Sequence, residues 1–172
     1  MKETEWSQKL STLGACEEAV EWARPKATFA EAWANCKRGD WMLWLAGRMA
    51  GKEGWPSRQQ VVLAACDCAS LALEHVPEGE KRPQQTIETA RRWARGMATI
   101  EEVRIASYAA AAAYAAASSA AAASYASYAA YASYAAYAAY AAASSAAASR
   151  RKVLLRCADI VREQLKVPEL MP

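Results

Sequence analysis

One histidine, one phenylalanine and three aspartates are all that 172 residues contain of these types. A single histidine, His75, leaves no His-rich metal set and only one imidazole for acid–base work. Its place just before Pro77 reads as a favourable cation at a helix C-terminus. Gly-rich phosphate loops and GxSxG elbows are absent, which removes P-loop and α/β-hydrolase chemistry from consideration. The five cysteines form no CxxC pair; Cys66 and Cys68 stand two apart and point to different sides of a helix. A metal or other cofactor is therefore not expected. The excess of positive charge is only +3, too small to imply nucleic acid. The start, MKETEWSQKL, lacks an apolar run behind its basic residue, so a cytoplasmic chain with reduced thiols is expected.

Strand alternation is missing as well. What fills the chain is helix punctuation. GACEEAVEWARP reads as a helix stopped by Pro25. Thr28 with Glu31, Ser57 with Gln60, and Thr99 with Glu102 each have capping-box spacing. Asp40 reads as a cap for DWMLWLAGRMA after a break at Gly39. SRQQVVLAACDCASLALEHV reads as one helix ending at Pro77, and PQQTIETARRWARG as one running from Pro83 to Gly96. In RRKVLLRCADIVREQLKVP, Leu154, Leu155, Ala158, Val161 and Leu165 share one helical side. The expectation is a single all-α domain over 1–172: Trp-rich helices in 1–97, an Ala-rich helical tract in 99–149 and an amphipathic helix in 150–167.

The tract is unusual. Residues 106–149 are 27 Ala, 9 Ser and 8 Tyr, with no charge, Gly or Pro. It contains no Leu, Ile, Val or Phe, and its many hydroxyls oppose insertion, so a membrane span is not expected. One helix of that length would reach roughly 66 Å, which favours a joint at Ser118-Ser119 or Ser144-Ser145. Tyr125, Tyr128, Tyr131, Tyr134, Tyr137 and Tyr140 recur every third residue, so each falls ~60° behind the last and they wind around the helix. A helix apolar on all sides is expected inside a bundle, with Ala allowing close approach.

Each aspartate sits in an apolar run, where a carboxylate needs a partner. Two readings follow. Asp40 caps its helix while Asp67 and Asp159 pair with arginines, drawn from Arg38, Arg48, Arg91, Arg92, Arg95, Arg156 and Arg162. Alternatively, Asp40, Asp67, Trp41 and Trp44, with Arg48, Arg91 and Arg92, line a polar binding pocket. The seven tryptophans belong mostly to the core, but an exposed Trp–Arg cluster would be a partner-binding hot spot.

Three stretches together, GACEEAVEWA, TFAEAWANCKRGDWMLWLAG and CADIVREQL…VP, resemble a family of immunity proteins from bacteria, prophages and phages, set in polymorphic toxin–immunity loci. RGDWMLWL is the most specific of them, and VVLAACDCASLAL adds to it. The resemblance spans nearly the whole chain. The chain departs from it where Ser and Tyr take every non-Ala position of the tract. The resemblance implies an all-α, non-enzymatic protein that binds a toxin or effector. The residues leave open two other classes: a phage anti-defence binder that sequesters a small signalling molecule, and a structural protein that forms homo-oligomers through its Ala/Tyr helix.

Overall fold

The computed structural model describes residues 5–71, 73–75, 78–106, 147–169 and 171. Every regular element among them is helical. In order they are α1 (Glu5–Thr12), α2 (Glu17–Ala23), α3 (Phe29–Asn35), α4 (Gly39–Met49), α5 (Arg58–Ser70), a 3-10 turn (Leu73–His75), α6 (Arg82–Ala94), α7 (100–106) and α8 (Ala147–Gln164). None of the described helices is long and apolar enough to cross a membrane. The expectations for the six spaced tyrosines and the serine joints fall outside the described residues.

Local signals set most boundaries. At α5 the box is complete: Gln60 N–H donates to Ser57 Oγ at 3.2 Å and Ser57 N–H to Gln60 Oε1 at 2.7 Å. Thr99 and Glu102 repeat it at α7, at 3.2 and 2.7 Å. At α3 the box is half shifted. Thr28 Oγ1 accepts from Glu31 N–H, but the Glu31 carboxylate takes Ala27 N–H instead of that of Thr28. After α6, Gly96 adopts φ +74°, its N–H reaches the carbonyl of Trp93, and Met97 N–H reaches that of Arg92. That pair of bonds is a Schellman ending, and it needs the left-handed residue that Gly supplies.

Two boundaries correct the sequence reading. The helix expected to run to Pro77 ends at Ser70, whose hydroxyl donates back to Cys66 O at 2.8 Å, while Leu71 N–H turns to Cys68 O. His75 therefore lies in the separate 3-10 turn and not at the C-terminus of α5. Gly39, read as a break, is the first residue of α4. A Cβ placed on it would stand 2.4 Å from Cys157 Cβ and 2.6 Å from Ala158 N, so only glycine lets α4 rest against the α8 backbone there.

The larger core cluster joins α4, α5, α6, α7 and α8: Met42, Leu43 and Ala46 meet Val61, Val62, Ile87, Val103, Leu154 and Val161. α5 is central to it. Its Ala64, Ala65, Cys66, Cys68 and Ala69 are fully buried, and it packs against α4, α6 and α8. Small side chains on several sides are what allow three neighbours to approach one helix. A second cluster lies on the other side of α4, where Leu45 and Met49 meet Leu10, Val20, Phe29, Trp55 and Met171. α4 is thus a wall between two cores, with only a narrow stripe left for the surface. On α8 the expected apolar side is in place: Leu154, Ala158, Val161 and Leu165 are buried and Leu155 is half-buried.

A tryptophan and cation face on α2 and α4

The outward stripe of α4 holds Trp41, Trp44 and Arg48. Spacings of three and four residues put these side chains on one side of the helix. All three are half-buried or exposed, whereas Met42, Leu43, Leu45 and Ala46 between them are buried. Arg48 lies over the Trp44 ring, 5.7 Å from its centroid. Trp22, in the last turn of α2, packs on Trp41 with centroids 5.9 Å apart. Lys26 lies 5.6 Å over the Trp22 ring, and the Arg38 guanidinium 4.2 Å over the Trp41 ring. Three half-buried indoles each carry a cation. Such contacts contribute about 0.5–1 kcal/mol each at exposed sites.

Arg38 is held in place by acids. Its Nε and Nη2 donate to the two oxygens of Asp40, at 2.9 and 2.6 Å, and its Nη1 donates to Glu18 at 3.1 Å. The fork geometry of guanidinium and carboxylate gives parallel charge-assisted bonds. Residues i and i+2 do not meet within a helix. They meet here because Arg38 is the residue before α4, in a non-helical conformation (φ −113°, ψ 87°), while Asp40 is inside the first turn. The hydrogen bond to Asp40, followed by its charge, raises the Arg38 pKa, against the desolvation that opposes it. Asp40 therefore does not cap α4, as its place in the sequence implied; it is a buried carboxylate gripped by the preceding arginine.

Beside these indoles is a small apolar crevice. Trp22, Trp41 and Trp44 line it with Trp6, Phe29 and Trp33, and it holds about 50 Å³ of free space. That volume admits a side-chain tip and no larger ligand. Phe29 centres its floor, 5.6 to 6.2 Å from the rings of Trp6, Trp33 and Trp55. Behind it, Trp55 Nε1 is the one buried side-chain polar atom without a hydrogen-bond partner among the described residues.

Asp67 belongs elsewhere. Arg91 donates to its Oδ1 at 2.5 Å and to Ser70 Oγ at 3.0 Å, and Gln164 donates to its Oδ2 at 2.6 Å. These bonds tie α5 to α6 and α8. Arg92 is exposed and closes the turn after α6, reaching Met97 O at 3.0 Å and standing 4.0 Å from Glu102. Asp159 is exposed and pairs with Arg162 at 2.6 Å, while the same guanidinium donates to Cys36 O at 2.7 Å beyond the end of α3. The single pocket expected from Asp40, Asp67, Trp41, Trp44, Arg48, Arg91 and Arg92 is therefore divided. Trp41, Trp44 and Arg48 share the α4 face with Asp40 beneath it; Asp67, Arg91 and Arg92 hold α6 to its neighbours. Trp22 and Arg38 complete the face without having been expected there. The signal for Arg38 was its position two residues before an aspartate at a helix start.

The cysteines are all free thiols. Cys16 is exposed and the other four are buried. Burial pushes Cys36 up to about 11 and Cys66 up to about 12. Cys68 is raised by its hydrogen bond with the Cys157 side chain and then by burial. The described residues contain no group of three or more acidic, His or Cys side chains able to hold a metal ion.

No family model matches this chain, and no curated protein or solved structure matches it either.

Proposed function

We propose that this protein is a non-enzymatic, immunity-like binding protein that neutralises a toxin or effector by docking it on the α2 and α4 face. The observation that carries the reading is the row of half-buried Trp22, Trp41 and Trp44, each with a cation over its ring, beside a crevice that admits one side-chain tip. Trp and Arg dominate interface hot spots because they desolvate large areas at low conformational cost. Their concentration on α4, a helix anchored on both sides by core, gives the partner a rigid surface. The resemblance of RGDWMLWL to immunity proteins supports the same face, since that stretch forms it.

The test pairs growth rescue with capture. Candidate toxins or effectors are expressed with and without this protein, and the complex is recovered by affinity. Trp44→Ala with Arg48→Ala should abolish rescue and capture. Because Trp44 also packs on the second core, Arg48→Glu alone, which leaves that packing in place, should do the same with the melting temperature close to that of the parent. Rescue that survives both substitutions would reject this face as the docking site. A protein that rescues cells from none of the toxins and captures none of them would reject the reading itself.

A further inference from the structure

Trp22 and Trp41 line a second hollow besides the apolar crevice. It is an open groove of about 500 Å³, and its other walls are Glu18, Lys26, Asn35, Lys37 and Arg38. That size is within the range of small-molecule sites. The groove differs in chemistry from the crevice, because charged and amide side chains surround its indole wall.

The charges in it are unevenly satisfied. Three donor positions of Arg38 are taken by Asp40 and Glu18, so its charge is met from within the protein. Lys37 is exposed, and among the described residues it makes no hydrogen bond or ion pair. Lys26 lies over the Trp22 ring, and its one ion pair is a loose one with Glu31 at 3.9 Å. With the Arg38–Asp40 pair cancelling, the groove presents two ammonium groups against the single carboxylate of Glu18. Glu18 still has capacity to accept, because Arg38 occupies only its Oε1 and its side chain is 71% exposed. Asn35 spends its Nδ2 on Glu31 O at 2.8 Å, which leaves its carbonyl oxygen as a further acceptor.

Three recognition elements thus share one hollow: an indole wall, two under-paired ammonium groups and two acceptors. A flat ring packs on indole and on the guanidinium above it. An anion meets Lys26 and Lys37, and an exocyclic amine donates to Glu18 or Asn35. We propose that the groove binds an aromatic heterocycle bearing both an amine and an anionic substituent, the chemistry of a nucleoside monophosphate. No bond is made or broken; the site holds its ligand. The groove shares Trp22, Trp41, Lys26 and Arg38 with the proposed docking face, whereas Trp44 and Arg48, whose substitution tests docking, do not line it, so the two readings fail separately.

Titration calorimetry of the full chain with adenosine 5′-monophosphate, adenosine, ribose 5-phosphate and inorganic phosphate tests it. The monophosphate should bind at least about tenfold more tightly than each of the others, since adenosine lacks the anion and the other two lack both the ring and the amine. Lys37→Glu should weaken the monophosphate by about tenfold and leave adenosine unchanged, and Lys37→Arg should restore it. Trp22→Phe, which keeps a ring in place, should weaken monophosphate and adenosine alike. The absence of heat with the monophosphate at millimolar concentration would overturn the proposal. Inorganic phosphate binding as tightly as the monophosphate would overturn it too, and so would a Lys37→Glu variant with unchanged affinity.

Discussion

Arg38 and Asp40 hold each other through two parallel hydrogen bonds across the start of α4, with the Asp40 side chain 6% exposed and that of Arg38 24%. Removing the carboxylate leaves a guanidinium that still reaches Glu18 and water, so the loss falls below the 3–5 kcal/mol typical of a fully buried pair. Asp40→Ala should cost about 2 kcal/mol in urea unfolding, and Asp40→Asn about half that, because the amide still accepts one bond. The contrast is Asp67. Its side chain is 39% exposed, and Asp67→Asn should cost less than about 1 kcal/mol. Equal losses at the two sites would contradict the burial difference.

Gly39→Ala introduces one methyl group where Cys157 Cβ and the Ala158 nitrogen already stand. Helix propensity alone predicts stabilisation by up to about 1 kcal/mol for that change. Steric crowding against backbone should win, with a net loss of about 1–3 kcal/mol or more, because α8 has to shift as a whole. Chemical denaturation of the single variant decides the sign.

Thiol accessibility separates Cys16 from the rest. A disulfide reagent applied to the native protein should modify Cys16 quickly and the four buried cysteines only as the chain opens. Rapid reaction of two or more thiols in the folded state would contradict the burial of Cys36, Cys66, Cys68 and Cys157.

Alkaline stability follows from the same thiols. In the unfolded chain they lose their protons near 9.0, whereas Cys36 holds its proton to about 11 and Cys66 to about 12. The fold thus favours the protonated form. That contribution is complete below pH 9 and is lost as pH rises through the folded values. The melting temperature of the parent should fall over this window more steeply than that of Cys36→Ala or Cys66→Ala. Parallel curves would show that other groups govern the decline.

Trp55→Phe is a test of the unpaired indole. The change removes ring volume from the second core but also removes a buried donor that has no partner. Those effects oppose each other at about 1–3 kcal/mol each, so the net change should be within about 1 kcal/mol. Phe29→Ala, which empties the centre of the same aromatic cluster, should cost about 3–5 kcal/mol. Comparable losses from the two substitutions would mean that the Trp55 N–H is satisfied in solution.

What the sequence determined by itself is the all-helical class and the local ends of helices. Ser57 with Gln60, Thr99 with Glu102, Pro83 and Gly96 act within one turn of the backbone, where spacing in sequence is distance in space. Trp41, Trp44 and Arg48 were expected together, but as part of a pocket with Asp67, Arg91 and Arg92, which the sequence had no local means to separate from them. Only the tertiary structure decided that Asp40 and Asp67 serve different places. Asp67 meets Gln164, 97 residues away, and Arg91 on another helix, and no local rule selects those partners. Gly39 read as a break because glycine usually interrupts helices. Its reason is an approach of α8 that exists only once residues 39 and 157 have been brought together. The place of Trp22 beside Trp41 depends likewise on how α2 and α4 pack, since the turn at Arg24 and Pro25 and all of α3 lie between them.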